Sequence, residues 1–156
     1  MNIFLEEHFN LLNHLIRDKV KFLIIGGYAV NYYGYNRTTA DLDLWLKPAQ
    51  ENYIKLANVL KTLNFSEKSL EKIMKVKPGK LMVFNIWQVP YRVDFLSHIS
   101  GISFSDAIMN KTVEKIGDLE FPFISLPHLV ISKISSQRLR DQADVEELQK
   151  ISKLKK

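Results

Sequence analysis

Two stretches decide how this chain reads: Phe22-Leu23-Ile24-Ile25-Gly26-Gly27, and Asp41-Leu42-Asp43-Leu44-Trp45-Leu46 a short distance on. The first is a continuous apolar run ended by a glycine pair, the mark of a short buried strand. In the second, Asp41 and Asp43 lie two apart within an apolar run. On an extended strand both carboxylates then point to one face, roughly 6–7 Å apart. At an effective dielectric near 20, two such charges repel by about 2–3 kcal/mol. An uncompensated pair drives one acid toward protonation. A divalent cation held between them removes the penalty, and Mg²⁺ favours carboxylates shared with substrate phosphates.

The glycines fit the same chemistry. Placed after a strand and before a short helix, Gly26 and Gly27 let a backbone approach a phosphate and offer N–H donors at the helix start. Taken singly, a Gly-Gly reads as a tight turn and an Asp-x-Asp as a surface strand. Together they read as a metal-phosphate site.

The chain has 156 residues, 46% apolar and 25% charged, which suits a single α+β domain spanning 1–156. It contains no cysteine, which excludes disulfides and cysteine-zinc sites. Glu6 and Glu7 stand where a signal peptide needs basic residues, and no apolar run approaches the length of a membrane span. A cytoplasmic protein with no membrane partner is expected. The net charge of +5 concentrates in Lys68, Lys72, Lys75, Lys77 and Lys80 and in Lys150, Lys153, Lys155 and Lys156. These clusters read as solvated faces or as a landing surface for RNA, but no aromatic residues are interleaved for base stacking.

Helical spacing of Leu5, Phe9, Leu12, Leu15 and Ile16 predicts an amphipathic helix within 3–19. A brief helix over Tyr28–Tyr33 follows the glycines. Tyr53, Leu56, Ala57, Leu60 and Leu63 line another helix that ends near Asn64, and residues 66–77 form a Lys/Glu-rich helical segment. Leu81–Trp87 and Tyr91–Leu96 read as antiparallel strands joined around Pro90. A hairpin is expected at Lys111–Ile116 and Leu119–Ile124 with Gly117-Asp118 at its tip. Ser125 caps a helix over Leu126–Ser135, and a last helix covers Asp141–Leu154. Trp45 and Trp87, on expected strands, are assigned to the core. The four histidines, His8, His14, His98 and His128, show no ligand spacing.

The glycine pair, Tyr33-Gly34, then Arg37-Thr38-Thr39-Ala40-Asp41-Leu42-Asp43 resemble the nucleotidyltransferase superfamily that includes DNA polymerase beta. Within it, the pattern is similar to the group related to abortive-infection-type nucleotidyltransferase toxins. The third carboxylate of that signature is matched by Asp94 in Tyr91-Arg92-Val93-Asp94-Phe95-Leu96, followed by Gly101-Ile102-Ser103-Phe104. Lys133 and Arg138-Leu139-Arg140-Asp141-Gln142-Ala143-Asp144 resemble the group's C-terminal motif. Tyr33 stands where histidine is common and Arg140 where lysine is usual. Neither touches the acids.

The resemblance implies a nucleotidyltransferase-like fold: a small mixed or antiparallel sheet flanked by helices, with a C-terminal helical segment. It implies catalytic and metal-binding roles for Asp41, Asp43 and Asp94 around two Mg²⁺ ions, for which Mn²⁺ is a substitute. Gly26, Gly27, Arg37, Thr39 and Lys133 would bind the nucleoside triphosphate. The residues by themselves leave alternatives open. Asp94 also reads as an acid paired with Arg92 or a lysine, Arg37 as a partner of Asp41 or Asp43, and Lys133 as a partner of Asp141 or Asp144.

The expected activity is transfer of a nucleotidyl group to a hydroxyl of RNA, tRNA, protein or a small molecule, with pyrophosphate released. A non-catalytic nucleotide-binding or toxin–antitoxin partner module is the competing reading, since many active relatives carry an additional substrate domain. A basic scaffold for nucleic acid is a third.

Overall fold

The computed structural model describes residues 3–36, 41–77, 79–136 and 139–154, with the side chains of 136–140 left aside. The chain order is α1 (Glu6–Arg17), β1 (Phe22–Ile25), α2 (Gly26–Tyr32), β2 (Leu42–Leu46), α3 (Gln50–Thr62), α4 (Glu67–Met74), β3 (Val83–Ile86), β4 (Val93–Leu96), α5 (Phe104–Met109), β5 (Thr112–Ile116), β6 (Leu119–Phe123), α6 (Leu126–Ser136) and α7 (Leu139–Leu154). The strands form one mixed sheet in the order β3-β4-β2-β1-β6-β5.

The apolar runs explain the centre of that order. β1 is buried at all four positions, which only an interior strand with both faces covered allows. It pairs antiparallel to β2 and parallel to β6. β2 pairs parallel with β4, and β4 antiparallel with β3. Alternation along β2 sends Leu42, Leu44 and Leu46 to one face and Asp43 and Trp45 to the other. The leucine face continues into Val93 and Phe95, and Trp45 carries the opposite face onto Phe104 at a ring separation of 5.3 Å. α1 is anchored through Phe4, which stacks on Tyr28, Phe121 and Phe123.

Helix starts follow the expected chemistry. Ser66, Ser103 and Ser125 each accept a backbone N–H of the first turn. The sequence reading finds every helix except α5, which has six residues, too few to show periodicity. Its signal is the Ser103 cap followed three residues later by Asp106. Trp87 corrects another expectation. The strand stops at Ile86, and Trp87 leaves it with φ +59 and its ring 37% exposed, so it does not fill the core. Trp45 does, at 1%. Among the described residues no helix is long and apolar enough to cross a membrane.

Candidate functional site

The parallel pairing of β2 with β4 sets Asp43 directly opposite Asp94. Residues opposite one another on paired strands share a face, so both carboxylates stand on the face that carries Trp45. They approach closely enough to hydrogen-bond through a shared proton. Asp41 sits at the mouth of β2, and its charge reaches Asp43 as well. Burial, then the charges of Asp94 and Asp41, then the hydrogen bond to Asp94, push the Asp43 carboxyl up from 3.8 to about 7. The Lys133 cation pulls the other way.

The glycine pair closes this site from the β1 side. Ile25 pairs with Asp43, and the next residue, Gly26, turns the chain into α2 with φ +68. A Cβ on Gly26 would fall on the Asp43 carboxylate itself. Gly26 therefore supplies both a left-handed backbone and the room in which Asp43 lies. Gly26→Ala is expected to cost more than about 2 kcal/mol and to abolish Mg²⁺-dependent nucleotide binding. Urea unfolding and a nucleotide titration check this. Wild-type values in both would mean that the close approach has no role.

Lys133 and Asp94 satisfy the structural side of their alternatives. The Lys133 ammonium lies 2.8 Å from Asp141 and 3.1 Å from Asp144, all three side chains buried. The pairing joins α6 to α7 across the site face. Arg92 Nε donates to Asp94 at 3.1 Å, while Asp94 remains beside Asp43. Arg37 and Thr39 lie outside the described residues. Tyr33 is structural: its hydroxyl lies 2.6 Å from the Ile124 carbonyl, which accepts, and 2.9 Å from Thr112 Oγ1. These bonds tie the end of α2 to β5 and β6.

His8 is the residue that sequence reasoning missed. It is fully buried, with Nε2 2.9 Å from the Tyr91 carbonyl and Nδ1 2.8 Å from the Tyr28 hydroxyl. A carbonyl only accepts, so Nε2 carries the proton and Nδ1 receives the phenol O–H. The ring thereby links α2, which starts at the glycines, to the segment entering the Asp94 strand. No local pattern reveals it, because its partners lie 20 and 83 residues away.

Burial is the largest influence on His8 and lowers its pKa from 6.5, against the Tyr91 bond and the charges of Glu7 and Asp41. The unfolded chain therefore takes up this proton more readily. The contribution to stability is complete above pH 6.5 and is lost as pH falls through the lowered value. In an Asp43→Asn background, which removes the opposing titration, stability is expected to fall as pH drops below 6.5, by up to about 1.4 kcal/mol per unit. His8→Phe should flatten that slope in pH-dependent urea unfolding.

The donor set is all carboxylate oxygen, with an excess of negative charge that raises one member's pKa, and this fits a hard divalent cation. Among the described residues no three acids, histidines or cysteines are gathered closely enough to hold a metal ion, so the structure brings together the pair Asp43–Asp94 and not the full set with Asp41. An ion here would need further oxygens, which a triphosphate supplies. Two cavities lie on or beside the sheet. One of about 460 Å³ is lined by Asn85, Trp87, Gln88, Val89 and Arg92; none of the acids lines it, but Asn85 and Arg92 are the cross-strand and ion-pair partners of Asp94. A larger one, about 640 Å³, lies between Lys21, Lys47, His98 and Phe104 at the far end of β2 and contains none of the acids.

No curated protein matches the chain in sequence. The structure resembles that of the lincosamide antibiotic adenylyltransferase LnuA, lincomycin-bound, with 16% identity and a TM-score of 0.52, covering 97% of this chain and 99% of that one. At this identity the likeness is one of fold. The family described as nucleotidyl transferase of unknown function (DUF2204) matches residues 5–156, and the chain belongs to that family.

Proposed function

We propose that this chain, as one nucleotidyltransferase-like domain over 1–156 acting in the cytoplasm, transfers a nucleotidyl group from a nucleoside triphosphate to a hydroxyl acceptor. The observation that carries the reading is the in-register pair Asp43–Asp94 with Gly26 seated against Asp43. Asp41 and Asp43 would hold a Mg²⁺ ion on the triphosphate, and Asp94 would share a second; Mn²⁺ would substitute. Bound there, the ions neutralise phosphate charge and lower the pKa of the acceptor hydroxyl.

The chain's own groups do the positioning. Gly26 and Gly27 leave room for the β and γ phosphates against the start of α2, and Arg37 and Thr39 would contact phosphate oxygens. Lys133, held by Asp141 and Asp144, favours the ionised form of Asp43. Asp94 takes the acceptor proton as the acceptor oxygen bonds to the α-phosphorus. The bond from that phosphorus to the bridging oxygen breaks, and pyrophosphate leaves in line.

Chain length does not favour the non-catalytic module, because an adenylyltransferase of the same fold is covered over 99% of its length by this chain. Purified protein with α-labelled triphosphates, Mg²⁺ and candidate acceptors tests the proposal. Wild type should yield labelled acceptor and pyrophosphate. Asp41→Asn with Asp43→Asn should yield neither and should lose Mg²⁺-dependent nucleotide binding while staying folded. Unchanged binding by the double variant would remove the metal role.

A further inference from the structure

One surface cavity contains two direct neighbours of Asp94: its cross-strand partner Asn85 and its ion-pair partner Arg92. Asn85 pairs with Asp94 across β3 and β4, so its side chain stands on the same face as the acids. Arg92, also in the lining, is fixed by its 3.1 Å bond to Asp94. Val89 and Gln88 complete the lining, together with the partly exposed Trp87. It is an open surface cavity of about 460 Å³, with all of its lining residues exposed except the half-buried Arg92.

Trp87 is the informative residue. Its φ of +59 places a bulky aromatic in the left-handed region, where glycine or asparagine is relaxed and other residues are strained. Its ring packs on Phe65 in a tilted arrangement, with the ring centroids 6.2 Å apart. Strain of this kind persists where surrounding structure imposes it, and it clusters at ligand sites. The strand has already ended at Ile86, so the indole lies outside the sheet.

The charge of the lining separates the classes of acceptor. Among the described residues Arg92 is its one cation and is paired with Asp94, and none of Lys68, Lys72, Lys75, Lys77 or Lys80 lines the cavity. Among the described residues the lining therefore offers a polyanion no cation beyond the one paired with Asp94. Amide groups from Asn85 and Gln88 suit hydroxyls as both donors and acceptors, and a flat apolar indole suits one face of a ring. Resting on the nucleotidyltransferase reading above, we propose that this cavity binds the acceptor, and that the acceptor is a neutral, hydroxyl-bearing ring compound stacked on Trp87. One of its hydroxyls faces Asp94.

The test uses full-length protein, α-labelled triphosphates, Mg²⁺, a panel of methyl hexopyranosides, cyclitols and neutral aromatic glycosides, and, separately, total tRNA and a cell protein extract. Label is expected in at least one panel member. Trp87→Gly should raise the KM for that acceptor at least about twentyfold, with the triphosphate KM within twofold. Its melting temperature should stay within about 3 °C, because relief of the backbone strain offsets the lost contact with Phe65. Gln88→Leu, at an exposed position, should raise the acceptor KM at least about fivefold without any packing change. Label in tRNA or protein alone, no transfer to the panel, or unchanged acceptor KM in both variants would overturn the assignment. Mg²⁺-dependent triphosphate binding without labelled panel member overturns the acceptor class only. Loss of that binding in wild type overturns the underlying reading.

Discussion

Asp43→Asn is expected to make the protein more stable and inactive. In the wild type the folded carboxyl keeps its proton up to about pH 7, whereas the unfolded one releases it near 3.8. The folded state therefore binds more protons between those values, and stability falls as pH rises across that window. Above it, the chain carries an ionised carboxylate held next to Asp94 and Asp41. Roughly 3 pKa units correspond to an upper bound of about 4 kcal/mol. The amide removes the charge and keeps a donor for Asp94, so a gain of about 1–3 kcal/mol at pH 8 is expected. For a chain of this size that is a rise in melting temperature of several degrees. Transfer should fall by at least about a thousandfold, since the displaced charge is what holds the ion. Added Mg²⁺ should stabilise wild type and not the variant. A variant less stable than wild type at pH 8 would mean that Asp43 is not held against its own charge.

The second large effect is expected at Lys133. Lys133→Met would leave Asp141 and Asp144, each 1% exposed, facing one another without their shared cation. Breaking a buried ion network by removing one partner costs about 3–5 kcal/mol. Replacing all three charges, as Lys133→Met with Asp141→Asn and Asp144→Asn, should recover most of that loss in urea unfolding. The single variant should also weaken triphosphate binding, because the cation that lowers the Asp43 pKa is gone. Full recovery of stability in the triple variant with nucleotide affinity still reduced would separate the bridging of α6 and α7 from the electrostatic role. Wild-type affinity in the triple variant would confine Lys133 to the bridge.

What the sequence reveals of the site follows from period and punctuation. β1, the glycine turn and β2 are local patterns, so Gly26, Asp41 and Asp43 are legible as one unit. Asp94 is legible as a strand residue. That its strand lies parallel and adjacent to β2, with the two acids in register, depends on a crossover through α3, α4 and β3 that no window of residues encodes. His8 and the Lys133 bridge are tertiary in the same sense. The ambiguity over Lys133 arises because a buried lysine satisfied by two carboxylates and a phosphate-binding lysine have the same one-residue signature. Trp87 was misread for a different reason: period-two alternation predicts a buried strand position, and the backbone leaves the strand one residue earlier. The family match is to a nucleotidyl transferase, and the acceptor proposed above rests on the residues around Asp94 instead.

A crystal grown with a non-hydrolysable triphosphate and Mn²⁺ tests the central claim most directly, through the anomalous signal of the metal. The account predicts manganese bound by the Asp43 carboxylate and shared with Asp41 or Asp94, with the triphosphate lying over Gly26 and Gly27. Manganese remote from both Asp43 and Asp94, or a triphosphate seated elsewhere on the sheet, would contradict it.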